Sequence, residues 1–96
     1  MQAKPYADAA AAGVSAVVGK GELMGINIHN DHTSLTDVTL DDSTDGTGKI
    51  LWKGRVAADT EITEMLNDGK GRGITFSVGV YLTTSNVTNV DVVIYH

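Results

Sequence analysis

Three short stretches of this chain hold the residue types from which chemistry is built. The first is Asp41-Asp42-Ser43-Thr44-Asp45-Gly46. Oxygen side chains at its first, third and fifth positions and a glycine at its sixth begin like a calcium loop. Such a loop closes on a bidentate glutamate at its twelfth position, where this chain has Trp52. The stretch is therefore expected to be a polar hairpin turn, because Asp, Ser and Gly suit turns through bonds to their own backbone. The second stretch is His29-Asn30-Asp31-His32, whose two imidazoles have the makings of a metal pair. A site needs further ligands, and the only other histidine is His96. These two histidines are expected in a solvated turn.

The third stretch is Gly69-Lys70-Gly71-Arg72-Gly73. It resembles part of a phosphate cradle, but a strand pattern follows it where a helix N-terminus is required. Lys70 and Arg72 are then ordinary surface charges. Asn86-Val87-Thr88 has the spelling of a glycosylation acceptor, which matters only in a secreted chain. Ser, His and Asp are all present, with no motif that arranges them for nucleophilic attack. The expectation is a protein that is not an enzyme and uses no cofactor and no metal.

Composition narrows the partners. The 96 residues suit one domain with a single two-layer core. A formal net charge of -5 argues against nucleic acid and anionic membranes as partners. With no cysteine there is no disulfide framework, which leans towards an intracellular product. The start of the chain, with Asp8 inside a run of alanines, reads as neither a signal peptide nor a membrane span. Eleven glycines and one proline suit many short strands joined by turns.

The elements that must position these residues are strands. Ile74, Phe76, Val78, Val80 and Leu82 alternate with small or polar residues, and Val90, Val92 and Ile94 repeat the pattern. Together they predict a C-terminal hairpin of two long antiparallel strands with the largest apolar face in the chain. Earlier strands are expected over 14–18, with inner faces of Met24, Ile26 and Ile28, then Thr36, Val38 and Leu40, then Ile50, Trp52, Gly54 and Val56. Leu23 falls on an outer face, as do Asp37, Asp41, Lys53 and Arg55. The acidic third strand beside the basic fourth predicts cross-strand charge pairs. Residues 57–68 are ambiguous: Ile62, Met65 and Leu66 have helical spacing, and an irregular strand fits as well. The fold class is all-β, an antiparallel sandwich of jelly-roll-like type with six to eight short strands. Residues 1–12 are expected to be an extended N-terminal arm and residues 13–96 the single sandwich domain. An arm so poor in large side chains is expected to be mobile when free, or ordered by a partner.

Five segments carry a resemblance. Gly21-Glu22-Leu23-Met24-Gly25-Ile26-Asn27-Ile28-His29-Asn30 is followed by Thr36-Asp37-Val38-Thr39-Leu40-Asp41-Asp42-Ser43, and then by Lys49-Ile50-Leu51-Trp52-Lys53. Gly73-Ile74-Thr75-Phe76 and Asn89-Val90-Asp91-Val92-Val93-Ile94-Tyr95-His96 close the pattern. This succession of strands and turns resembles small virion proteins of tailed bacteriophages, over about residues 13–96. The resemblance implies a jelly-roll-like capsid decoration, or cement, protein. It would bind the major capsid protein and associate with itself, as a trimer, on the capsid surface after synthesis in the host cytoplasm. The alternative within the same resemblance is a receptor- or carbohydrate-binding module of a tail or fibre. The interface residues expected for a decoration protein are Pro5 and Tyr6 on the arm and Asp41, Asp42 and Asp45 on an acidic edge. A small metal-dependent jelly-roll enzyme remains a third class, and needs His29, His32 and a carboxylate to converge.

Overall fold

The computed structural model describes residues 2–6, 13–66, 72–86 and 88–96, without the side chains of Lys4 and Tyr6. Alternation of apolar and polar residues becomes ten strands among them. These are β1 (Ala3–Tyr6), β2 (Val14–Val18), β3 (Gly21–Leu23), β4 (Gly25–Asn30), β5 (Thr36–Asp42), β6 (Lys49–Val56), β7 (Thr60–Met65), β8 (Ile74–Phe76), β9 (Gly79–Thr84) and β10 (Val90–Tyr95). The pairs are antiparallel and form two four-stranded sheets, β1-β10-β4-β7 and β2-β9-β5-β6, with a small β3-β8 ladder beside them. The shortest extent of the molecule, 19 Å, is what two sheets about 10 Å apart and their outer side chains require. The all-β antiparallel architecture follows the sequence expectation, and the segment with helical spacing is strand β7.

The core lies between the sheets. Ile26, Ile28, Val92, Ile94 and Val90 come from one, and Val38, Leu40, Val56, Val80 and Leu82 from the other. Leu23 and Phe76 close it from the β3-β8 ladder. Trp52, Ile74 and Ile62 pack against its margin.

Four expectations are corrected. The C-terminal hairpin does not form: β9 lies between β2 and β5, while β10 lies between β1 and β4 in the other sheet. Period two reports which face of a strand is buried, not which strand is its neighbour. The two strands face one another through the core, and the chain crosses between sheets after Thr84.

The long strand before it is also broken, at Ser77 and Val78. The chain leaves the strand there and resumes it in the same phase, so Val78 alone is turned out, 50% exposed although its position in the pattern is an inner one. Gly79 is held where a Cβ would collide with the Val17 carbonyl oxygen, so only glycine fits. In the same way the break at Met24 puts Leu23 wholly inside and leaves Met24 half-buried.

Ile50, expected inside, is 54% exposed. Between Leu40↔Trp52 and Asp41↔Ile50, β6 advances two residues while β5 advances one. Such a bulge inverts the faces beyond it, turning Ile50 outward.

The fourth correction concerns the arm. Its residues 3–6 form β1, which pairs with β10 of the same chain from Ala3↔Tyr95 to Tyr6↔Val92. The ladder ends in a reciprocal pair, Gln2 N–H to the His96 carbonyl at 2.6 Å and His96 N–H to the Gln2 carbonyl at 2.9 Å. An open sheet edge supplies enough backbone bonds to order this part of the arm without a partner. Met1 and residues 7–12, expected to belong to the arm, lie outside the described residues.

Candidate functional site

The acidic stretch begins on the last two residues of β5, Asp41 and Asp42, and its turn folds back to place Gly46 over Tyr81 of the β2-β9-β5-β6 sheet. Its side chains are engaged with the chain itself. Asp41 falls on the outer face, as alternation predicts, yet is 5% exposed. The Ser43 hydroxyl donates to the Asp41 carboxylate and accepts from Gly46 N–H at 2.8 Å, folding the turn back over the sheet. Gly46 then lies against the ring of Tyr81, the residue that pairs with Asp41 on β9. Asp41 is therefore corrected from an accessible outer carboxylate to a covered one.

Asp42 reaches a different segment. Its carboxylate accepts from the N–H groups of Ser77 at 2.8 Å, Val78 at 2.7 Å and Gly79 at 3.2 Å. Three consecutive amides around one carboxylate make a small anion nest, and they fix the corner between β8 and β9. These amides, with Lys49 nearby, hold the Asp42 carboxyl below its ordinary value of 3.8. A lowered carboxylate stabilises the fold above the unfolded-state value and loses that contribution as pH falls through the folded one. Thermal stability is thus expected to drop on acidification from about pH 4 downward. Asp42→Asn should remove part of that slope, measured as melting temperature against pH. An unchanged slope in the variant would refute the assignment.

Asp45 is exposed and accepts from the N–H and hydroxyl of Thr47, at 3.0 and 2.6 Å. Both bonds lower its pKa, the hydroxyl's the more. The turn is thus the polar hairpin expected, with each carboxylate serving it or the neighbouring corner. Asp37 forms the predicted cross-strand pair, 2.8 Å from the Arg55 guanidinium on β6. Its two side chains are 48% and 73% exposed, so this pair contributes little to stability.

The histidines separate. His29 is exposed on β4, opposite Glu61, while His32 follows in the loop, where its Nδ1 accepts from Ser34 N–H at 3.1 Å. Among the described residues no three His, Asp or Glu side chains gather as metal ligands would. Asn30 between them has a role that sequence reasoning placed only in a turn. It is fully buried, and its carboxamide donates to the carbonyls of Ser34, Val56 and Ala57 at 3.0–3.1 Å while accepting from His32 N–H. Asn86, of the glycosylation-like triplet, donates to the Leu35 carbonyl and the Thr36 hydroxyl. Pro5 is exposed on the β1 edge and pairs with Val93; Gly69, Lys70 and Gly71 lie outside the described residues.

The three amides that meet Asp42 escaped the sequence reading. The available signal was Gly79 inside an apolar alternation, which marks a bulge or a close backbone approach. Comparison with protein-family models, with curated proteins and with solved structures finds no match for this chain.

Proposed function

We propose that the protein is a non-enzymatic virion structural protein of a tailed bacteriophage, a capsid decoration protein that binds the head shell as a symmetric oligomer and stabilises it. The observation that carries this reading is where the strands fall. The segments with the resemblance coincide with β3 and β4 ending at Asn30, with β5, with the turn at residues 43–48, and with β6, β8 and β10. The Asn turn of the pattern corresponds to the buried Asn30 carboxamide that ties β4 to the end of β6. Asp41, Asp42 and Ser43 are all turned to bonds within the two-sheet body. A rigid sandwich with a strand at its N-terminus suits a part that acts by contact area.

The tail or fibre module with a sugar site is less well supported. It requires aromatic rings gathered on one surface. Trp52 instead packs against the core margin with its ring over Gly54, and Tyr81 is flanked by Gly13 and Gly46. Of the expected docking residues, Pro5 and Asp45 are exposed and Asp41 is not. Contact with a basic shell surface would therefore run through Asp45 and the solvent side of Asp42, and would weaken with salt.

The deciding measurement is a mass-spectrometric inventory of purified virions of the phage that encodes the chain, with heads and tails separated. The expected result is this chain in the head fraction, in a fixed ratio to the shell subunit. Its absence from the virion, or its confinement to tails, overturns the decoration reading.

A further inference from the structure

Two strands flank one lateral side of the sandwich. Among the described residues β6 pairs only with β5, and β7 only with β4. Each therefore presents an open backbone edge, a surface suited to taking another strand. The two edges carry opposite charge. β6 holds Lys49, Lys53 and Arg55 with no acid, and β7 holds Glu61 and Glu64 with no base. Each also exposes one large apolar side chain, Ile50 at 54% and Met65 at 55%.

The register sets these groups at matching heights. Asn30 pairs with Thr60, and its carboxamide donates to the Val56 carbonyl, so Val56 and Thr60 lie at one end of the sandwich. From that end β6 runs back to Ile50, and β7 runs on to Met65. Arg55 is then level with Glu61, and Ile50 with Met65. All four lie on outer faces. Arg55 is opposite outward Asp37, and the bulge turns Ile50 out. Glu61 and Met65 alternate with Ile62, which packs on the core.

We infer that β6 of one copy pairs antiparallel with β7 of a second copy, in a closed assembly whose rotation axis runs parallel to these strands. Rotation about such an axis preserves strand direction, so β6 meets its neighbour's β7 in the antiparallel sense. It brings Arg55 against Glu61 of the second copy and Ile50 against Met65 of the second copy. In a two-fold dimer both seams form at once, and a three-fold ring about the same axis uses the same seam. The competing two-fold axis, normal to the sheets, would set β6 on β6 and β7 on β7. On β6 the outward Lys53 and Arg55 would then meet only basic or apolar outward residues of the same strand, and on β7 Glu61 would meet Glu61, Thr63 or Met65, so neither seam gains an opposite charge, and like charges directly opposite destabilise a ladder. Edge lysines and a bulge commonly bar strand-to-strand pairing. Here they bar like from like and leave the unlike pair open.

The test uses the full chain, free of any particle. Sedimentation equilibrium should give two or three times the monomer mass, falling towards the monomer as salt is raised. Arg55→Glu should return the protein to monomer, and adding Glu61→Arg should restore the assembly. Because Arg55 also meets Asp37, a melting curve for each variant reports whether the fold survives. The natural chain has no cysteine, so Ile50→Cys combined with Met65→Cys gives an independent reading. Within one copy these positions lie on sheets about 10 Å apart, too far for a disulfide. Oxidation should thus give covalently linked copies on a non-reducing gel. A chain that stays monomeric at all concentrations, or an assembly that the cysteine pair does not cross-link, overturns the inference. The seam and the place on the head are tested separately: a monomer found in the head fraction would overturn this seam and the symmetric oligomer while leaving the location on the shell standing.

Discussion

Replacing Phe76 with alanine is expected to destabilise the protein by about 3–5 kcal/mol, the usual range for deleting a buried aromatic ring. Phe76 is 1% exposed and is the largest fully buried side chain among the described residues. Its ring lies against Gly21, its partner in the β3-β8 ladder, where a Cβ would already crowd it. That ladder has three paired residues per strand, too few to hold together by backbone bonds alone. The ring and Leu23 are its fully buried anchors in the core. Losing the ring leaves a cavity at the end of the core that short strands cannot collapse to fill. Chemical denaturation with an unchanged m-value checks this, since a shift in midpoint alone then reports stability. Ile50→Ala, measured on the dissociated single chain, is the control: the same alternation assigns it to the core, but its exposure predicts a change within about 0.5 kcal/mol. Equal effects at the two positions would contradict the placement of the bulge on β6.

Asn30→Ala carries the second large effect, about 2–4 kcal/mol, because it orphans buried polar groups rather than removing apolar volume. Two amide hydrogens serve three carbonyls, and the side-chain oxygen takes the His32 N–H. These bonds join the end of β4 and the loop after it to the end of β6, which is 26 positions away in sequence. Asn30→Asp is expected to be worse than alanine. It keeps the acceptor for His32 but turns a buried carboxylate on the carbonyls of Ser34, Val56 and Ala57, acceptors that repel it. An aspartate variant as stable as the parent would show that these carbonyls have other partners.

The two residues also mark how far the sequence alone could be read. Phe76 was legible as core because an aromatic in strict alternation has few other uses. Asn30 was legible as a turn former, and its side chain does make that turn through His32. Its hold on Val56 and Ala57 was not legible, because nothing in residues 27–33 names a strand 26 positions away. The same limit applies to the acidic stretch. Composition identified Asp41, Asp42 and Asp45 as a polar turn. Only the folded chain assigned one to a covered face, one to the amides of 77–79 and one to Thr47.

By itself, the sequence determined that this is an all-β antiparallel protein and which face of most strands turns inward. It also determined that the acidic outer face of one strand lies beside the basic outer face of the next, while the pairing of Asp37 with Arg55 came from the register. Those are consequences of a period of two and of neighbouring strands joined by a short turn, and both are local. The tertiary structure decided which sheet each strand joins, that β9 and β10 oppose rather than pair, and that Ala3–Tyr6 docks on β10. It also decided where the alternation slips, at Met24 and at the bulge before Ile50, and where it is interrupted, at Ser77 and Val78. Each of these depends on a backbone group finding a partner far along the chain. An open edge, a free carboxylate and an unpaired amide are satisfied by whatever the fold brings near, and that proximity exists only once both sheets have closed on the core.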